Sequence, residues 1–426
     1  MLLEPQLQVE GDSLVDVVGV DHGERASGHH WHRTAGRGEE RDAPSPAMIS
    51  KMFSRRHGRT WTRGVPVQDR GPGESYRPEN DPPSVFGVHQ PGIATPVLDH
   101  LAFAAFDVIV ERRAALHEVI GQLTEQAERL MRAGHRIGDR GPAGALTVTL
   151  GLGPGIFTDR LGLATRRPVG LRELPPFTGD VLDGSISGGD LCLQVCADTL
   201  PKAEDALARL VAVGRPAARL RWSQSASVHR RRGERRDARP RNLLGFKDAT
   251  ANPRRGRDFD RHLWVAQGDR TWMLGGTYLV VRRVRVLLDA WNALSLEEQE
   301  RVIGRHRDSG APLGRHHEFE AMPLDDDTVP LDAHARVAAP RANGGATILR
   351  RGYSYDNGPD AHGERDAGLL LLLFGHDPRR QFIPLQRRLA EHDALTQFTR
   401  PIGSAIFATP PGTERGQALA YNLLAP

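Results

Sequence analysis

Three side chains in this 426-residue chain carry groups suited to chemistry: Asp248 in GFKDAT, His334 in PLDAHARVAAPR and Arg350 in ILRRGYSY. A carboxylate can relay a proton, an imidazole can relay one or ligate a metal, and a guanidinium stays charged and steadies an anion. Each type also has an ordinary use. An Asp caps a turn, a His packs, an Arg is solvated. Asp248 stands in a stretch with little periodicity, next to Lys247, and the other lysines are Lys51 and Lys202. Nearly every cation is therefore arginine, which weakens any reading based on an Arg cluster alone.

Other reactive groups have weaker claims. Cys192 and Cys196 lie in DLCLQVCADT. On a strand they would stand roughly 13 Å apart, beyond disulfide reach, so they are expected as buried thiols. The cluster GHHWHR at 28–33 reads as a solvated polar tract. GLGPGIF at 151–157 fits no phosphate-loop pattern, and Pro154 removes a donor amide. The arginines of VHRRRGERRDARPRN, 228–242, have no interleaved aromatics. That stretch is expected to be a solvated interdomain loop, and no nucleic-acid partner is expected. The longest apolar run, AGLLLLLFG at 367–375, is too short for a membrane span and reads as a buried strand. Twin arginines occur in SRRHGRTW at 54–61 with no apolar region after them. As it stands, then, the chain reads as cytoplasmic.

Periodicity supplies the elements that must position these groups. Residues 1–84 show no sustained period and read as a disordered or wrongly annotated extension. From 85 to 240 the order is β-α-β-β-α-β: strands at 100–109, 145–153, 190–198 and 218–224, helices at 111–133 and 201–213. Residues 241–426 repeat it, with strands at 276–288, 347–355, 367–375 and 403–410 and helices at 295–306 and 378–391. Ser295 and Glu298 are spaced as a capping box. The expected fold is α+β, two ferredoxin-like halves with antiparallel sheets.

The chain resembles the dye-decolourising haem peroxidases, in the branch associated with bacterial iron uptake (deferrochelatase-type). FGVHQPGIATP, HLAFAAFDV, PRNLLGFKDATANP, GGTYLVVRRVRV, EEQERVIGRHRDSGAPLG, LDAHARVAAPR, ILRRGYSYDNG, DPRRQFIPLQRRLA and GSAIFATPPG carry the resemblance, over about residues 85–412. It implies the dimeric α+β barrel type of fold with haem held mainly by the C-terminal half. It implies one haem b per chain with His334 as proximal iron ligand, and Asp248 and Arg350 on the peroxide-binding face. Ala249, Thr250, Ala251, Ala339, Pro340 and Arg341 would line the haem, Arg341 as a propionate partner. Lys247 would be a structural neighbour that points away from the haem.

The activity implied is reduction of hydrogen peroxide with oxidation of bulky organic reductants such as dyes, phenols or porphyrins. Alternatives are release of iron from haem, a non-catalytic haem carrier and, remotely, a basic nucleic-acid-binding protein. The partners implied are a second copy of the chain and components of an iron-uptake system, and the family expectation is twin-arginine export. Electrons from large reductants would enter through a surface aromatic, for which Trp264, Trp272, Tyr353 and Tyr355 are candidates beside their reading as core. The chain departs from the family in having Ala249 where Gly is usual, and in its tail, RGQALAYNLLAP.

Overall fold

The computed structural model describes residues 82–134, 145–230, 239–254 and 256–425. The expectations for residues 1–81, with GHHWHR and the twin arginines, and for 231–238 lie outside the described residues.

Strands β1 (His100–Val108), β2 (Leu146–Leu152), β3 (Leu191–Ala197) and β4 (Ala218–Ser227) form one antiparallel sheet in the order β4-β1-β3-β2. Strands β5 (Thr277–Val286), β6 (Leu349–Pro359), β7 (Arg365–Gly375) and β8 (Thr399–Thr409) repeat that order as β8-β5-β7-β6. The two sheets close into one barrel through two minimal contacts, Leu152 opposite Ala408 and Ser227 opposite Ser354.

So little ladder leaves backbone groups to satisfy at the β2–β8 seam, and Gln90 satisfies them. Its side chain accepts from the Leu150 amide at 2.9 Å and donates to the carbonyls of Leu150 at 3.0 Å and Pro410 at 2.9 Å. At GLGPGIF a Cβ on Gly153 would lie 1.9 Å from the Gly189 carbonyl oxygen, so that glycine serves close packing.

Alternation along the strands separates two apolar regions. Leu101, Phe103, Cys192, Cys196, Tyr353 and Phe407 pack inside the barrel. Both thiols are free and buried, and desolvation pushes their pKa values up. On the outer face of the first sheet lie α1 (Arg113–Gly134) and α2 (Leu200–Gly214). Leu116, Val119, Ile120, Leu123, Ala127 and Met131 of α1 are buried as the 3.6-residue period predicts. Each such fully covered aliphatic chain is worth about 1.5–3 kcal/mol relative to exposure. The tail is docked too. Thr124 accepts from the Leu419 amide at 3.0 Å, and Arg166 donates to the Asn422 and Leu423 carbonyls at 2.8 and 2.6 Å.

The second sheet is covered by α3 (Leu296–Ile303), α4 (His334–Val337), α5 (Phe382–His392) and long loops. The capping box at Ser295 and Glu298 forms as predicted. The leucine run explains itself on β7. Leu370, Leu372 and Phe374 enter the barrel core, while Leu369, Leu371 and Leu373 are half-buried and line a cavity on the outer face.

Trp264, Trp272, Tyr353 and Tyr355 are 8%, 5%, 1% and 2% exposed, which corrects the expectation of a surface aromatic among them and leaves the core reading. The flanks of the arginine-rich segment are corrected as well. Arg230 pairs with Asp99 at 3.0 Å, and buried Arg241 donates to the carbonyls of Gly245 and Arg307 at 3.1 and 2.5 Å. Arg241 holds folded backbone and half-buried Arg230 sits in an ion pair, so these flanks are not a solvated loop.

Candidate active site

Local chemistry shapes the loop that carries Asp248. The Asn242 side chain accepts from the amides of Leu244 and Phe246, and Gly245 takes φ +88°, closing a tight turn. The chain then returns along Arg241, and the Asp248 amide donates to Pro240 at 2.9 Å. The next residue, Ala249, adopts φ +60°, in the left-handed region where a glycine would be unstrained. That turn aims the Ala249 amide at Asp248 Oδ1, 2.7 Å away.

Asp248 is 4% exposed, and its Oδ1 also accepts from Arg350 on β6. A buried carboxylate needs such a partner, because removing an isolated charge from water is prohibitive. Asn252 then ties the loop to β6. Its side-chain amide accepts from the Arg350 amide at 2.9 Å and donates to the Arg350 carbonyl at 2.7 Å. Lys247 answers to a different partner: its ammonium meets Glu318 at 2.8 Å. Glu318 also accepts from Thr250 at 3.2 Å and lies 3.4 Å from Arg239, so it anchors the loop's outer side.

His334 opens α4, and its Nδ1 lies 2.6 Å from Asp393 at the end of α5. Asp393 is 7% exposed and also caps the following turn at the Leu395 amide, so its carboxylate cannot swing away. A carboxylate accepts, so Nδ1 carries the proton and Nε2 keeps its lone pair for a ligand.

His334 on the helical side and the Asp248–Arg350 pair on the sheet side line one cavity of about 340 Å³. Ala249, Thr250, Ala251 and Pro340 line it as well, with Leu369, Leu371 and Leu373 of β7 and Phe382, Leu385 and Leu389 of α5 as apolar wall. A second cavity of about 370 Å³ adjoins it, sharing Thr250, Ala251, Asn252, Arg305, Pro340 and Thr347. Ala339 borders the second cavity only. Arg341 borders neither; it is exposed, 3.5 Å from Asp325. The half-buried cation bordering both cavities is Arg305, whose pKa is pressed down by burial first and by Arg350, against the pull of Glu318.

These walls fit a haem: an apolar recess of about 340 Å³, an imidazole whose Nε2 is left for a ligand, and a charged pair on the facing element. Periodicity could not have found Asp393 or Asn252, nor tied Glu318 to Lys247, because these partners are far apart in sequence.

The chain matches the families described as Dyp-type peroxidase, N-terminal, over residues 90–226 and Dyp-type peroxidase, C-terminal, over 239–414. It is 39% identical over 368 residues to a dye-decolorizing peroxidase of Thermobifida fusca, covering 79% of this chain and 83% of the relative. It is 33% identical over 362 residues to a deferrochelatase of Escherichia coli, covering 79% and 85%. Among solved structures it resembles ferric DtpA from Streptomyces lividans, with TM-score 0.76 and 40% identity over 82% of this chain and 98% of that one.

Proposed function

The chain belongs to the Dyp-type peroxidase family, and from that premise we propose how its site works. It is a haem peroxidase that reduces hydrogen peroxide and oxidises organic reductants. The reading takes one haem b per chain in the 340 Å³ cavity, with His334 Nε2 as the iron ligand and Asp393 holding the ring. Bound there, haem supplies the redox centre for peroxide reduction.

The protein's own part is proton movement and charge. Oδ1 of Asp248 already accepts two hydrogen bonds, so Oδ2 is the atom that takes a proton from peroxide and returns it to the departing oxygen. Arg350 stays charged throughout and stabilises negative charge on the separating oxygens. Arg305 stands at the junction of the two cavities as the cation for the haem carboxylates, in place of Arg341.

The observation that carries this reading is a single apolar cavity lined by a carboxylate-backed imidazole and a carboxylate–guanidinium pair. An absorption spectrum with and without peroxide tests it. A Soret band that changes with peroxide, together with peroxide-dependent dye oxidation, is expected. His334→Ala should lose most of its haem, whereas full occupancy with an unchanged spectrum would remove His334 from the role. A colourless protein retained on DNA would sink the whole reading. Iron release is a second reading, favoured by the relatives named deferrochelatase, and metal-free porphyrin after incubation with haem would identify it. A homodimer, export and iron-uptake partners belong to the same proposal, to be tested by gel filtration, fractionation and co-purification.

A further inference from the structure

One glycine on β6, beneath the Asp248 carboxylate, is not explained by backbone conformation. Side chains alternate along β6, so Leu349 and Tyr353 enter the barrel, while Arg350 lines the cavity and Gly352 stands on the same outer face of the strand. Gly352 is not among the residues with positive φ, so its backbone would accept any side chain. Space is what excludes one. A Cβ at Gly352 would lie 2.1 Å from Asp248 Oδ2 and 3.3 Å from the Asp248 carboxyl carbon, with Leu371 next at an ordinary 3.5 Å.

We propose that Gly352 is a positioning residue: its bare Cα is the seat of the Asp248 carboxylate, and a side chain there displaces the carboxylate before it disturbs the fold. The proposal rests on the reading of Asp248 as the proton-relaying group. The order of yielding follows from what surrounds the contact. β6 cannot recede, because Gly352 pairs with Leu371 on β7 and Asn252 grips both backbone groups of Arg350. The atoms in the way belong to the tip of one short side chain, which can rotate. When it rotates, Oδ2 leaves its place and Oδ1 loses its line to Arg350 and the Ala249 amide. A misplacement of about 1 Å at a reacting group can cost ~10²-fold in rate.

The test is a cycle of Gly352→Ala, Asp248→Ala and the double variant, each as haem-loaded protein. Stopped-flow mixing with peroxide gives the rate, and chemical denaturation gives the stability. Gly352→Ala should bind haem and react about 10²-fold more slowly. The double variant should react no more slowly than Asp248→Ala, and the stability lost on Gly352→Ala should disappear in the Asp248→Ala background. Multiplying rate losses, or the same stability loss in both backgrounds, would overturn the proposal. If Asp248→Ala reacts at the wild-type rate, the proton-relay reading fails, but the stability cycle still decides whether Gly352 seats the carboxylate. Should Gly352→Ala not accumulate, the double variant must do so with haem bound; failure of both would overturn the proposal.

Discussion

Replacing Ala249 by Gly should make the protein more stable, although it deletes a methyl group. Ala249 holds φ +60°. An L side chain in that region costs roughly 1–2 kcal/mol. Glycine returns roughly 0.4–1 kcal/mol through the greater freedom of its unfolded chain. Since Ala249 is half-buried, little apolar area is lost, and the net gain should be about 0.5–1 kcal/mol. Ala420, at φ +58°, is the internal control. It is 8% exposed, so Ala420→Gly also forfeits about 0.8 kcal/mol of methyl burial and should come out near zero. Urea denaturation at matched haem occupancy measures both. Ala249→Gly should raise the midpoint without changing the slope, and Ala420→Gly should leave it in place. No rise for Ala249→Gly would show that its left-handed turn carries no strain. An equal rise for both would refute the burial argument.

Asp393→Asn keeps the shape beside His334 but weakens its hold on Nδ1, so haem retention or peroxide activity should fall about 10–100-fold; unchanged titration with haem and unchanged rates would argue against the pair. Gln90→Ala leaves the Leu150 amide and carbonyl unpaired at the barrel seam and should cost roughly 2–6 kcal/mol in denaturation, at about 1–3 kcal/mol for each buried orphan group. Burial lowers the pKa of His89 from 6.5, outweighing the Gly275 carbonyl and Asp260, and its ring stacks on Trp264 at 3.6 Å. Below pH 6.5 the unfolded chain therefore takes the proton first, and stability should fall as pH drops through that range. His89→Phe should keep the stack and flatten the stability profile between about pH 7.5 and 5.5, and an unaltered profile would count against this assignment.

Local pattern was enough for the elements and their order. Alternation and the 3.6-residue period placed all eight described strands and the main helices within a few residues, because those signals depend on neighbours two to four positions apart. The capping box and the amphipathic face of α1 were legible for the same reason. Resemblance singled out Asp248, Arg350 and His334 but not what holds them. Asp393 is 59 residues from His334, Asn252 is 98 from Arg350, and Glu318 is 71 from Lys247. Short-range periodicity carries no record of such pairs.

Charge type was equally silent about place. Arg305 and Arg341 are the same residue type in sequence, yet one is half-buried beside both cavities and the other lies at the surface beside Asp325. The glycine of ILRRGYSY carries no signal in the sequence; in the fold it leaves the space that an Asp 104 positions earlier occupies. Elements form from contacts close along the chain; a site forms where separated segments exclude water from the same volume, and only the closed barrel brings those segments together.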